Sequence, residues 1–147
     1  MISTPPTGVK FDSRAWLLRG ISTLPGRLQL AGGSVWFIAT GTGSAWDWQL
    51  RTLDRAAITA DFSQRLRLGQ TAILFRERLE NLAIASPWYY FQGGLVVRSA
   101  GGTWRFSFGP PAGSATDDVG AELGAVRTMR RTGKRWLEVF EQARATP

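Results

Sequence analysis

Apolar residues recur at every second position over most of this chain, and glycine-containing turns interrupt them at short intervals. Leu28 and Leu30 alternate with Arg27 and Gln29, and Ala31-Gly32-Gly33-Ser34 then reads as a tight turn into Val35-Trp36-Phe37-Ile38. Trp46, Trp48 and Leu50 alternate with Asp47, Gln49 and Arg51. Leu66 and Leu68 alternate with Arg65 and Arg67, and Gly69-Gln70 suits a two-residue hairpin turn leading to Ile73 and Phe75. Leu95 and Val97 match Trp104, Phe106 and Phe108 across Gly101-Gly102. Successive side chains of a strand point to opposite faces, so this alternation builds half-buried strands. Turn signals roughly every 8–12 residues point to an antiparallel sandwich or barrel.

The pattern changes after Gly109-Pro110-Pro111. Residues 110–116 read as a short linker of Pro, Gly, Ser, Ala and Thr. Ser114, Thr116 and Asp117 are suited to cap a helix, with Asp118 and Glu122 near its start. Val119, Val126, Met129, Trp136, Leu137, Phe140 and Ala143 then recur at helical spacing, which predicts one amphipathic helix over about 117–145. Gly133 inside it is expected to weaken or bend it. The segment Leu79–Ser86 fits either a strand or a helical turn. Residues 1–13 read as a flexible tail, because Pro5-Pro6-Thr7-Gly8 offers no periodicity. The expected fold is mainly β with one C-terminal helix: a single domain over 14–147, built as an antiparallel seven-stranded roll or barrel capped by that helix.

Composition excludes much chemistry. A chain of 147 residues is of one-domain length and buries roughly two-thirds of its unfolded surface, so it needs no disulfide or metal to hold it. It contains no Cys and no His. Thiolate catalysis, disulfides, serine triads and ordinary zinc or copper sites are thereby removed. The carboxylates Asp47, Asp54, Asp61, Glu77 and Glu80 are scattered, with no spacing that suggests a catalytic pair or a metal loop. Gly41-Thr42-Gly43-Ser44 lacks the Lys-Ser/Thr of a phosphate loop. No enzyme activity, cofactor or metal is expected. Met1 to Gly8 shows no targeting pattern, and the apolar stretches are too short to span a bilayer, so a cytoplasmic location, at most peripheral to a membrane, is expected.

The net charge is +7, and nearly all of the basic charge is arginine, the lysines being Lys10 and Lys134 alone. Arginine bias fits recognition of phosphate or carboxylate, and it equally fits a GC-rich genome.

The terminal segment Gly133-Lys134-Arg135-Trp136-Leu137-Glu138-Val139-Phe140 resembles the C-terminal helix of pleckstrin-homology-like domains, with Trp136 in the place of the tryptophan that plugs one end of a seven-stranded roll. Gly26-Arg27-Leu28-Gln29-Leu30, the Gly-Gly turn and Val35-Trp36-Phe37 resemble the first hairpin of GRAM-like domains of bacterial type. Gly94-Leu95-Val96-Val97 through Trp104-Arg105-Phe106-Ser107-Phe108 resembles the last two strands. The resemblance covers roughly residues 15–143. It implies a non-catalytic module that binds a protein partner or an acidic membrane surface. The basic cluster that phosphoinositide-binding members carry in the first hairpin loop is absent, since Ala31-Gly32-Gly33-Ser34 holds no basic residue.

Three groups of residues are candidates for contact. Arg127, Arg130, Arg131 and Lys134 share one helix face, opposite Met129, Trp136 and Phe140. That face suits an anionic surface, or simply solvent, since Lys134 and Glu138 are spaced for an ion pair. Among the strands, Arg98 would face Arg105 across a turn at Gly101-Gly102, or Thr103 if the turn shifts by one residue. Arg65, Arg67 and Arg76 would share a face of their hairpin. Such arginines suit phosphate or an acidic peptide. Finally, Trp88, Tyr89, Tyr90 and Phe91 put two rings on each face of a strand, one of which could form an interface or a homo-oligomer contact. Two further functions are consistent with the composition: a carrier of a small apolar ligand inside the barrel, and a binder of single-stranded nucleic acid.

Overall fold

The computed structural model describes residues 8–19, 22–85, 94–99, 102–109 and 119–145. Within these residues seven strands form one antiparallel sheet: β1 (Val9–Arg19), β2 (Ser22–Ala31), β3 (Ser34–Ala39), β4 (Ala72–Arg78), β5 (Ala83–Ala85), β6 (Gly94–Ser99) and β7 (Gly102–Ser107). Their order is β4-β3-β2-β1-β7-β6-β5. Two meanders are thus joined where β1 meets β7, with Trp16 opposite Ser107 and Leu17 opposite Phe106. Among the described residues β4 and β5 do not pair, so the sheet is an open roll. Such an order with a C-terminal helix is consistent with a pleckstrin-homology-like roll. Residues 9–13, expected to belong to a flexible tail, lie in β1, and residues 1–7 of that expected tail lie outside the described residues.

The β2–β3 turn follows directly from sequence. Ala31 pairs with Ser34, and Gly32 and Gly33 between them adopt φ of +60° and +74°. Two consecutive left-handed residues make the hairpin turn whose twist matches the flanking strands, and glycine adopts them without a Cβ clash. The β6–β7 turn is shifted by one residue from Gly101-Gly102: Ser99 pairs with Gly102 and Arg98 with Thr103.

The β3–β4 connection differs most from expectation. In place of two strands it forms two helices, α1 (Asp47–Asp54) and α2 (Phe62–Arg67). The alternation of Trp46, Trp48 and Leu50 is incidental. The residues that α1 buries are Leu50 and Leu53, one helical turn apart, and α2 buries Phe62 and Leu66 in the same way. The Asp54 carboxylate joins the helices by accepting the Ser63 backbone N–H and the Ser63 hydroxyl, both at 2.7 Å. It supplies the cap at the start of α2 that Asp61, held at φ +56°, does not. Past α1, Ile58 and Thr59 hydrogen-bond to the backbone carbonyls of Leu74 and Ile73, and the Thr59 hydroxyl accepts the Ile73 N–H. They thereby line part of the outer edge of β4. The ambiguous stretch after β4 forms both alternatives in turn, a single 3₁₀ turn (Leu79–Asn81) and then β5.

The interior is filled by side chains. Leu17, Leu24, Leu28, Phe37, Leu74, Val97 and Phe106 are fully buried. Phe37 packs on Phe106 at 5.0 Å between ring centroids, and Phe75 stacks on Trp104 at 5.4 Å. Aromatic pairs at these separations add to the burial of apolar area. The C-terminal helix α3 (Val119–Ala145) closes this interior with Trp136 and Phe140. The Trp136 ring meets Phe11 edge-on at 4.8 Å, and its Nε1–H donates to the Ser13 hydroxyl at 2.7 Å. Gly133 lies inside the continuous α3, buried on the same stripe as Trp136. Near the other end of that stripe, the Met129 side chain sits so close to Gly109 that a Cβ there would stand 2.3 Å from its sulfur.

Candidate interaction site around helix α1

The antiparallel order sends the β1–β2 turn, the β3–β4 connection and the β6–β7 turn to one end of the sheet. α1 lies at that end. Because Leu50 and Leu53 face inward, the residues on its other side must face out. Trp46 is 62% exposed and Trp48 59%, and Leu68 at the end of α2 is similarly open. The Arg67–Asp47 ion pair, at 3.4 Å, ties the end of α2 to the start of α1, so the chain segments that carry these three apolar side chains meet at one corner. The Trp46 backbone N–H donates to Gln49 Oε1 at 2.9 Å, which fixes the start of the helix.

Trp48 stands between two hollows. One, of about 470 Å³, is lined by Leu17 and Leu18 of β1, Gln49 and Thr52 of α1, and Thr103, Trp104 and Arg105 of β7. The other, of about 360 Å³, is lined by Arg51, Thr52 and Arg55. Among the described residues no carboxylate lines either hollow. Trp48, Arg51, Thr52 and Arg55 follow one face of α1, and Arg105 adds a cation from the sheet. The alternating pattern concealed this site by placing Trp46 and Trp48 among inward strand residues. The Leu50–Leu53 spacing was the signal that could have revealed it.

The arginines expected to act together are separated by the fold. Arg65 and Arg67 lie on α2 and Arg76 on β4, so they share no hairpin face. Arg65 Nε donates to the Thr71 carbonyl at 3.3 Å, Arg67 pairs with Asp47, and Arg76 lies over the Trp36 ring at 5.3 Å. Arg98 and Arg105 are both exposed on the outer face of the sheet, but Arg98 is opposite Thr103 and Arg105 opposite Val96. The one-residue shift of the turn places them diagonally and lessens their repulsion. A directly opposed arginine pair occurs elsewhere, at Arg14 and Arg27. There Asp12 accepts from Arg27 Nε at 2.9 and 3.1 Å and from Gln29 at 3.1 Å. These bonds, led by that of Arg27, hold the Asp12 carboxyl below its usual value against a weaker opposing effect of burial, and Asp12 in turn raises Arg27.

On α3, Arg127, Arg130, Arg131 and Lys134 are all exposed, opposite the buried stripe. The ion pair there joins Arg135 to Glu138 at 3.3 Å, in place of the expected Lys134–Glu138 pair. Trp88, Tyr89, Tyr90 and Phe91 lie outside the described residues. Among the described residues no cluster of carboxylates could hold a metal ion, and no helix is long and apolar enough to cross a membrane. No protein-family model matches the chain, and no curated protein matches it.

Proposed function

We propose that this chain is a non-catalytic interaction module of pleckstrin-homology-like type that docks on an anionic membrane surface through α1. The observation that carries the proposal is Trp48, an exposed ring set between two hollows whose described lining holds arginine and no carboxylate. Tryptophan favours the headgroup level of a bilayer, where its ring is apolar and its N–H remains wet. Each nearby basic residue adds about 1 kcal/mol of attraction to an anionic leaflet. A bilayer suits this corner better than a protein partner. Three projecting side chains offer on the order of 400 Å², about half of the roughly 800 Å² that each side of a stable protein interface buries. Single-stranded nucleic acid is less well served, because the sheet aromatics Trp104, Phe106 and Phe108 are buried and form no stacking platform. A side-chain-filled interior also favours a docking module over a carrier with a barrel cavity. The absence of His and Cys from the sequence supports the non-catalytic reading.

Vesicle sedimentation tests the proposal. The full chain is expected to pellet with phosphatidylcholine vesicles that contain phosphatidylserine, and not with phosphatidylcholine alone. Binding should weaken as salt shortens the screening length from about 30 Å at 0.01 M to about 8 Å at 0.15 M. The double variant Trp46→Ala/Trp48→Ala should lose it, and Arg51→Glu/Arg55→Glu should reduce it at least about tenfold. Failure to pellet with anionic vesicles at low salt overturns the proposal. So does displacement from such vesicles by a short single-stranded oligonucleotide that binds the chain more tightly.

A further inference from the structure

Another concavity, of about 480 Å³, lies away from α1. Its lining comes from Lys10 of β1, Leu30 and Gly33 of the β2–β3 hairpin, Leu79 of the 3₁₀ turn, and Arg135, Val139, Gln142 and Ala143 of α3. The α3 residues are spaced by four, three and one, so they form one stripe along the helix, beside the stripe that buries Trp136 and Phe140. α3 therefore faces two surroundings at once, the filled interior and this open hollow.

The chemistry of the lining is divided. Leu30, Leu79, Val139 and Ala143 make an aliphatic wall. A Cβ added at Gly33 would meet nothing within 4 Å, so the hairpin turn leaves its side of the hollow open. Among the described residues, two cations stand in the lining, Lys10 and Arg135, and no carboxylate does. Lys10 forms no ion pair among the described residues. Arg135 holds Glu138 only as an exposed pair, with side chains 53% and 61% open, and such pairs exchange partners at little cost.

The geometry points to a binding site for an amphipathic monoanion, an alkyl carboxylate whose chain lies against Leu30, Leu79, Val139 and Ala143 and whose head group meets Lys10 and Arg135. The volume falls within the roughly 300–1,000 Å³ range of small-molecule sites, and an apolar wall with a few charged groups is their usual composition. A cationic amphiphile would be repelled by Lys10 and Arg135, and an uncharged one would gain nothing from either.

The test is an NMR titration of the full chain with hexanoate, octanoate and decanoate, each below its micellar range. The methyl resonances of Leu30, Leu79, Val139 and Ala143 should shift and saturate. Affinity should rise about three- to fourfold for each added methylene. Octylammonium should produce no such shifts. Lys10→Glu/Arg135→Glu, two exposed positions, should lower affinity at least about tenfold with the fold intact. Ala143→Phe should fill the hollow and abolish binding. If that variant fails to fold, the charge-reversed pair decides alone. No saturable shift with decanoate, equal binding of octylammonium, or unchanged affinity in the charge-reversed pair overturns the assignment. Trp46→Ala/Trp48→Ala should bind decanoate like the parent, so failure of the membrane reading and failure of this one are separable.

Discussion

α3 and α1 both carry tryptophan and use it in opposite ways. On α3, Trp136 is fully buried, packed edge-on against Phe11, with its N–H satisfied by Ser13. On α1 the inward positions belong to Leu50 and Leu53, while Trp46 at its start and Trp48 in its first turn stand in solvent. Residue type does not separate these cases, since both are large amphipathic rings. What separates them is phase relative to the buried stripe. α3 is long enough to repeat its stripe through Gly133, Trp136 and Phe140. α1 is eight residues long and has room for two leucines on its inner side.

The sharpest way to break this contrast is to remove the rings. Trp136→Ala should destabilise the protein by about 3–5 kcal/mol in urea unfolding, as expected for truncating a buried aromatic. Trp46→Ala/Trp48→Ala should stay within about 0.5 kcal/mol of the parent. A large loss from the second variant would mean that α1 is held by its outer rings rather than by Leu50 and Leu53. A smaller effect is expected at the joint between α1 and α2. Asp54→Ala strands the Ser63 N–H and hydroxyl and should cost about 1–2 kcal/mol, with protection against hydrogen exchange falling in α2 before the sheet.

The smallest effect concerns Asp12, whose bonds stabilise the β1–β2 pair beneath the opposed Arg14 and Arg27. The folded pKa is lowered from 3.8, so this contribution is present above about pH 4 and is lost as pH falls through the lowered value. Solvent screening limits it to about 1 kcal/mol or less, because the Arg27 side chain is 41% exposed. Asp12→Asn should therefore be less stable than the parent at pH 7, and thermal melts of the two should converge in acid.

The same contrast explains what the sequence could convey. The β2–β3 hairpin was legible because Gly32-Gly33 sets both the turn and the register. α3 was legible because its apolar spacing persists over several turns. The insertion between β3 and β4 was not. Within the short stretch Trp46–Arg51, two exposed tryptophans fall in step with buried Leu50 and mimic strand alternation. α2 is shorter still, and Leu66 within it and Leu68 just past its end, one buried and one exposed, alternate with arginines in the same deceptive way. The candidate site was hidden for that reason, since reading α1 as a strand turns its exposed face into interior. The grouping of Arg65, Arg67 and Arg76 failed for a related reason, as it depended on a hairpin that the fold does not adopt, and Arg98 meets Thr103, the second of its two expected partners.

The backbone bonds from Ile58 and Thr59 to β4 have a consequence for how this molecule tolerates change. An open sheet has two free margins, and a bare margin is a template on which another chain can add a strand. Along β4 the first residues are occupied by this segment, while the last three are Arg76, Glu77 and Arg78, whose charges disfavour strand addition. The connection that displays Trp48 thus also works as a guard on the sheet. Residues 46–55 can be varied without uncovering the sheet, whereas shortening the connection past Ile58 would expose β4 and favour self-association.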